Sequence, residues 1–282
     1  MEYIKSPLNY TGGKYKILPY ILPKFPKNIN TFVDLFGGGF NVGINVQAKK
    51  IIYNDHNPYL KEMFLYFKEN NDIINKIKEI ISEYSLSETN SEGYLKLRER
   101  YNRGKSILDL FTLTCYSFNH QIRFNSKHEF NTPFGKNRSS YNQNIEQNLE
   151  AFITALKLKN IEFLSKDFNY IREYDFKAND FVYCDPPYLI SNAAYNDGKR
   201  GFKDWREREE EELLSLLDCL DKRKVKFMLS NVLEHKGEKN LKLIEWSKKY
   251  QISEIEKNYK NCNYHLKMKN NSTKEVIIYN YC

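Results

Sequence analysis

The sequence predicts an α/β core interrupted by an inserted, mainly helical and loop domain. Three observations predict it. Short apolar strand patterns open the chain, stop near residue 60 and return after residue 160. A glycine run follows the first strand and an acid closes the second, the order of a strand–loop–strand binding unit. Between the two strand-bearing stretches the apolar spacing is helical and then gives way to a polar, aromatic, Asn-rich segment. The simplest division is a core of residues 1–67 and 151–282 with an inserted domain at 68–150.

The 282 residues are 41% hydrophobic and 15% aromatic, enough for a packed core and against global disorder. No apolar run approaches the roughly 20 residues of a membrane helix, and the start, Met1-Glu2-Tyr3-Ile4-Lys5, lacks a signal-peptide stretch. The expectation is a soluble, cytoplasmic chain. Its five cysteines (Cys115, Cys184, Cys219, Cys262, Cys282) form no CxxC pair, which favours reduced thiols over disulfides or structural zinc. The histidines at 56, 120, 128, 235 and 265 show no ligand spacing, and no metal is expected.

The elements follow in order. Thr11-Gly12-Gly13-Lys14 is a tight polar turn, and Lys16–Leu22 is helical until Pro23 and Pro26 stop it. Thr31–Phe36 reads as a buried strand running into Gly37-Gly38-Gly39. Val42, Ile44 and Val46 then resume an apolar pattern that could open a helix, and Lys50–Asp55 is a second strand. From about Leu60 to Leu113 the pattern is helical, broken near Ser85–Gly93; residues 115–145 suggest loops and a hairpin. Strands return at Ile161–Ser165, Asp180–Cys184, Lys224–Asn231 and Glu275–Tyr281. Glu207–Leu220 carries leucines at 213, 214, 216, 217 and 220 behind an acidic first turn, an amphipathic helix.

The sharpest motif is Asp185-Pro186-Pro187-Tyr188, directly after Phe181-Val182-Tyr183-Cys184. Two prolines cannot continue a ladder, so the chain turns at the strand's carboxyl end, where open α/β sheets bind ligands. A stiff acceptor pair results, the Asp185 carboxylate and a proline carbonyl, beside the aromatic face of Tyr188. That pair suits an exocyclic amine on a planar base: two acceptors gripping its hydrogens free a lone pair otherwise delocalised into the ring. Stacking on the aromatic face contributes about 1–3 kcal/mol. A proline-rich turn with a capping acid is the plain structural alternative. Asp34–Gly39 with Asp55 is the second motif: glycines admit a ligand to the backbone, and an acid about 20 residues on can accept from a ribose diol. It is not GxGxxG, and no Walker lysine follows, which disfavours a triphosphate.

Together, Pro7–Lys14, Phe32–Gly39, Asn54-Asp55, Asp167-Phe168 and Asp185–Tyr188 resemble the Dam-type adenine-N6 DNA methyltransferases, in that family's order. Phe118–Asn125 and Phe130–Gly135 resemble its target-recognition region. The resemblance implies a Rossmann-like S-adenosylmethionine-dependent methyltransferase core with an inserted, mainly helical recognition domain. It implies cofactor contacts from Tyr10, Lys14, Phe36, Gly37, Gly39, Asp55, Asp167, Phe168 and Asp185. Family members often have Trp where Tyr10 stands; Tyr keeps an aromatic face for the sulfonium. The tetrapeptide Asp185, Pro186, Pro187, Tyr188 is implied as catalytic, acting on an adenine flipped from double-stranded DNA.

Residues 98–138 hold Arg98, Arg100, Arg103, Lys105, Arg123, Lys127, Lys136 and Arg138 against Glu99, Asp109 and Glu129, a net +5 of the chain's +8. Interleaved with Tyr101, Tyr116, Phe118 and Phe124, this run suggests phosphate and base contacts. By resemblance the DNA-binding set is Phe118, Asn119, Ile122, Arg123, Asn125, Pro133, Lys136 and Arg138, with Arg123 placed for a guanine in the major groove. Members reading GATC commonly have Gly-Leu where this chain has Gln121-Ile122, which leaves its target sequence open. A cytosine-N4 methyltransferase and a catalytically silent DNA-binding module are the competing readings. A restriction endonuclease acting separately is a further expected partner, and a monomer would suffice, since one chain carries every motif.

Overall fold

The computed structural model describes residues 3–10, 12–190, 205–255 and 273–282; Met1, Glu2, Thr11, Cys262 and His265 lie outside them. The N-terminal segment coils through a short helix, α1 (Leu18–Ile21), between 3-10 turns at Tyr15–Ile17 and Leu22–Lys24. Then come β1 (Ile29–Asp34) and β2 (Ala48–Asn54). Five helices follow: α2 (Pro58–Glu69), α3 (Ile73–Glu83), α4 (Ser91–Gly104), α5 (Ile107–Tyr116) and α6 (Gln143–Leu158). The chain returns to the sheet with β3 (Ile161–Leu164) and β4 (Phe181–Cys184), then α7 (Glu207–Lys222) and β5 (Lys226–His235). It ends with β6 (Glu238–Lys239), α8 (Leu241–Ser247), β7 (Gln251–Glu254) and β8 (Thr273–Tyr279).

The strands form one sheet in the order β3-β2-β1-β4-β5-β8-β7, with β6 paired to β5. The first five are parallel; β8 runs antiparallel to both β5 and β7. Strand order reverses between β1 and β4, so a crevice opens there at the carboxyl ends, the usual ligand position in such sheets. Asp34 pairs with Tyr53 on one side and Tyr183 on the other, which sets the ends of β1, β2 and β4 level.

Both faces of these strands are covered, as parallel strands require, and the residues sort by period two. Val33, Ile52, Val182 and Leu229 pack with the leucines of α7 in one apolar cluster. Phe32, Ile51, Tyr53, Phe181 and Tyr183 face the other side. There they join Phe64 and Phe67 of α2, Ile77 of α3, Leu97 of α4, Phe111 of α5 and Phe152 of α6 in a single cluster. The expected boundaries at 67/68 and 150/151 fall inside α2 and α6, and apolar packing runs unbroken from sheet to insert.

Two local expectations need correction. No helix follows the glycine run; only a 3-10 turn at Gly43–Asn45 forms before β2 begins. Val42, Ile44 and Val46 are spaced two apart, and Phe40 takes φ 61°, which a helix does not allow. Asn45 instead ties the turn to the N-terminal segment, donating to the Ile4 and Asn41 carbonyls at 2.8 Å. The second correction is β7, an edge strand that was not anticipated because its four residues include no fully buried side chain. Among the described residues no helix is long and apolar enough to cross a membrane.

Candidate active site

The crevice is organised by the amide of Asn54, at the end of β2. It donates to the carbonyls of Leu35 and Lys166, both at 3.1 Å, and accepts from the Lys166 backbone at 2.9 Å, binding the chain beyond β1 to that beyond β3. Gly37 donates to the Asn54 carbonyl at 2.8 Å, and the turn passes so close to β2 that a Cβ on Gly37 would lie 2.3 Å from Tyr53 Cε2. Gly38 adopts φ +47°, a region side chains disfavour, and so turns its N–H onto Asp55 Oδ2 at 2.8 Å. The backbone of Asn57 donates to Asp55 Oδ1, also at 2.8 Å. Asp55 is therefore oriented by two amides; burial raises its carboxyl above the usual range and these N–H groups oppose the rise.

Opposite this turn stands the Asp-Pro-Pro-Tyr corner at the end of β4. Lys14 Nζ lies 2.7 Å from Asp185 Oδ1, with side-chain exposures of 6% and 16%. The same ammonium donates to the Gly12 carbonyl at 2.9 Å and sits 5.0 Å from the centroid of the Tyr188 ring. Tyr188 donates its hydroxyl to Asp185 Oδ1 at 3.0 Å. Burial pushes the Asp185 carboxyl up and Lys14 pulls it back down. Asp34, buried at the end of β1, is a third carboxylate of the crevice; it accepts from the Gly43 N–H at 3.0 Å. Its burial lifts it to about 8, against that N–H, with repulsion from Asp185 and Asp55 adding to the rise.

An aromatic wall closes the far side. Phe36, Phe168 and Trp205 form a triangle with centroid separations of 5.5–5.8 Å, the Phe36–Trp205 pair edge-on. Asp167 caps the 3-10 turn Phe168–Glu173 through the Asn169 N–H, which fixes Phe168 on this wall. The Trp205 indole N–H is buried without a hydrogen-bond partner among the described residues, a donor open to an acceptor.

All nine positions implied as cofactor contacts (Tyr10, Lys14, Phe36, Gly37, Gly39, Asp55, Asp167, Phe168 and Asp185) line one cavity, with Pro187 among them. Pro186 and Tyr188 complete the corner beside it. Asp34, the first residue of the glycine motif, lines it too, as do His56, Lys166, Trp205 and Glu209, which no motif includes. Asp34 was signalled by its place between a strand and the glycines; Trp205, far from every motif, carried no such signal. Among the described residues no cluster of His, Cys, Asp and Glu could hold a metal ion, and Cys115, Cys184, Cys219 and Cys282 are free thiols.

The implied recognition residues lie on a loop clasped by two antiparallel bridges, Ser117 to Phe134 and Phe124 to Phe130. Phe124 stacks on Tyr59 of α2 with centroids 4.2 Å apart, and the Asn102 amide pairs with both backbone groups of Phe130. Phe118 and Asn119 are exposed at its tip, with the Arg138 guanidinium 4.9 Å over the Phe118 ring. Pro133, Lys136 and Arg138 are exposed; Ile122 and Arg123 are half-buried. Asn125 spends its side chain inside the loop, accepting from the Lys127 and Glu129 backbones and donating to the Glu129 carboxylate. Asn9 donates to the Asn119 carbonyl at 3.0 Å, linking this loop to the cofactor-side N-terminal motif. The basic run is not uniform. Arg100 pins α4 to Asp109 of α5 and to Glu83 of α3, and Arg103 pairs with Glu99.

Residues 10–261 match the family model of the D12 class N6 adenine-specific DNA methyltransferases. The chain is 50% identical over 282 residues to the type II methyltransferase M.FokI of Planomicrobium okeanokoites, covering 99% of this chain and 43% of that protein. It is 48% identical to the modification methylase StsI of Streptococcus sanguinis, with the same 99% and 43% coverage. To the DNA adenine methylase of Haemophilus influenzae it is 30% identical, over 79% of this chain and 78% of the other. The chain thus spans less than half the length of the first two relatives. By the family match and by these identities, it belongs to the D12 class of N6 adenine-specific DNA methyltransferases.

Proposed function

We propose that the chain methylates the N6 amine of an adenine flipped out of double-stranded DNA, using S-adenosylmethionine. The observation that carries this reading is the buried Lys14–Asp185 pair beside Tyr188, opening on the same cavity as Asp55 and the glycine turn. The residues fit the cofactor. Asp55 is oriented to accept from a ribose diol, the glycines leave room for close backbone approach, and Phe36, Phe168 and the Trp205 N–H, which has no partner among the described residues, suit a purine. When bound, S-adenosylmethionine supplies an activated methyl group.

The chain's own contribution is positioning and amine polarisation. Lys14 and Tyr188 both hold Asp185 through Oδ1; among the described residues Oδ2 takes no hydrogen bond and is the acceptor left for the adenine N6 hydrogen. The carbonyl at Pro186, its direction stiffened by two prolines, is the second acceptor. Together they localise the nitrogen lone pair, and the raised proton affinity of buried Asp185 suits it to take the proton shed as the N–C bond forms. Tyr188 offers its face to the flipped base, whose extrusion costs a few kcal/mol.

The loop at 117–138 is the surface we assign to DNA. Arg123, without an ion-pair partner among the described residues, is the base-reading candidate; Lys136 and Arg138 are the phosphate contacts, and Phe118 stands at the vacated stack. Residues 68–150 would thus serve recognition and 1–67 with 151–282 catalysis. Relatives named type II methyltransferase and modification methylase support a place in restriction–modification; a bacterial or phage-infected cytoplasm and a separately acting endonuclease belong to the same reading. Tritiated methyl transfer to unmethylated phage λ DNA tests the proposal. Label should appear in N6-methyladenine and vanish in Asp185→Ala; label in N4-methylcytosine, or DNA binding without label, would refute it.

A further inference from the structure

Beside the Asp-Pro-Pro-Tyr corner lies a carboxylate that no motif includes. Glu275 sits near the start of β8, opposite Val232 of β5, and because β8 runs antiparallel its start reaches the carboxyl end of the sheet. The residue is 4% exposed. Its Oε1 lies 3.3 Å from the Tyr188 hydroxyl, which is also 3.0 Å from Asp185 Oδ1. A phenol has one proton, so two carboxylates compete for a single donor. Asp185 does not need it, because Lys14 already holds the same Oδ1 at 2.7 Å.

We infer that Glu275 is a positioning residue for methyl transfer, anchoring the Tyr188 hydroxyl from β8 so that the ring is held for the flipped base while Asp185 is left as acceptor for the amine. The inference rests on the adenine-methylating reading above. Two consequences follow from the geometry. The Tyr188 hydroxyl lies between Asp185 Oδ1 at 3.0 Å and Glu275 Oε1 at 3.3 Å, so each share of its proton that Glu275 takes leaves Asp185 the stronger acceptor. The ring also gains a second fixed point, from a strand that the tetrapeptide's own backbone does not control. Burying a carboxylate at this spot costs desolvation, and the contact with Tyr188 offsets part of that cost.

The test is a double-mutant cycle on the full chain with single-turnover tritiated methyl transfer to unmethylated phage λ DNA. Glu275→Ala should slow transfer about tenfold, the scale of a lost hydrogen bond to a charged group. S-adenosylhomocysteine affinity by calorimetry and the KM for DNA should stay at wild-type values. Glu275→Gln, which still accepts from Tyr188, should recover most of the rate. In a Tyr188→Phe background Glu275→Ala should change the rate less than about twofold, because the atom it acts through is gone. Should Glu275→Ala melt below the assay temperature, Glu275→Met keeps the volume and replaces it in the cycle. A wild-type rate in Glu275→Ala, or an equal loss in both backgrounds, would overturn the inference while leaving the adenine assignment intact. An inactive wild-type protein would instead overturn the assignment.

Discussion

Removing the charge of Lys14 should both destabilise the fold and move the pH dependence of methylation. In Lys14→Met the aliphatic stem stays and the ammonium goes. Lys14 and Asp185 are 2.7 Å apart with side chains 6% and 16% exposed. Breaking one side of a buried pair costs about 3–5 kcal/mol, because the surviving charge is left uncompensated. Asp185 keeps the Tyr188 hydroxyl at 3.0 Å and some solvent, which places the loss at the lower end, about 3 kcal/mol. Part of that penalty is avoided if Asp185 takes a proton. Burial already raises its carboxyl and Lys14 is the largest opposing influence, so deleting Lys14 can only drive it further up. Catalysis needs the ionised acceptor, so the acid limb of the single-turnover rate should move toward alkaline pH, with activity recovering as pH rises. Urea denaturation and a rate profile from pH 5.5 to 9.5 measure the two effects. Asp185→Asn is the control, in whose background Lys14→Met should cost much less. An unmoved acid limb together with a wild-type urea midpoint would refute the reasoning.

Other residues give independent tests. Asp34 is lifted by burial from 3.8 to about 8, so the folded chain holds a proton that the unfolded chain releases between those values. Cofactor-free stability should therefore fall as pH rises through that window and level off above it. Asp34→Asn, uncharged yet still able to accept from Gly43, should gain more in urea midpoint at pH 8 than at pH 5.5; a parallel pH dependence would count against this. In Gly37→Ala the new Cβ would meet Tyr53 Cε2 at 2.3 Å, and that ring is fully buried with its hydroxyl tied to the Gly38 carbonyl. A loss of about 1–3 kcal/mol is expected, with weaker S-adenosylhomocysteine binding by calorimetry; unchanged affinity would show that the turn does not shape the site. Arg123→Ala should cost about 1–3 kcal/mol of discrimination against guanine-substituted duplexes. Arg100→Ala should instead lower thermal stability and leave the salt dependence of DNA binding unchanged, since Arg100 is engaged by Asp109 and Glu83.

What could be read in advance follows the range of the interactions involved. Strands β1, β4 and β5 declare themselves because burial on both faces demands continuous apolar runs, and edge strand β3 by its alternation of buried and exposed residues. The Asp-Pro-Pro-Tyr corner and the glycine turn are local backbone constraints, legible as residue types. Glu275 and Trp205 reach the site from distant parts of the chain, and no local pattern announces them. The expected helix after the glycines fails for a tertiary reason: that face of the sheet is covered by Phe64 of α2 and Phe152 of α6, which pack on Phe40. Charge counting over 98–138 does not tell paired from unpaired cations: Arg100 is engaged by Asp109 and also by Glu83, which lies outside that window, and Arg103 by Glu99. Among the described residues Arg123 and Arg138 have no carboxylate partner and lie on or next to the recognition loop, while Arg98, on α4, has none either.

The central claim is tested most directly by modification-aware sequencing of DNA from a host expressing the wild-type chain or its Asp185→Ala variant. The account predicts N6-methyladenine at one defined sequence in the wild-type sample and none in the variant. N4-methylcytosine, adenine methylation without a sequence preference, or equal modification in both samples would contradict it.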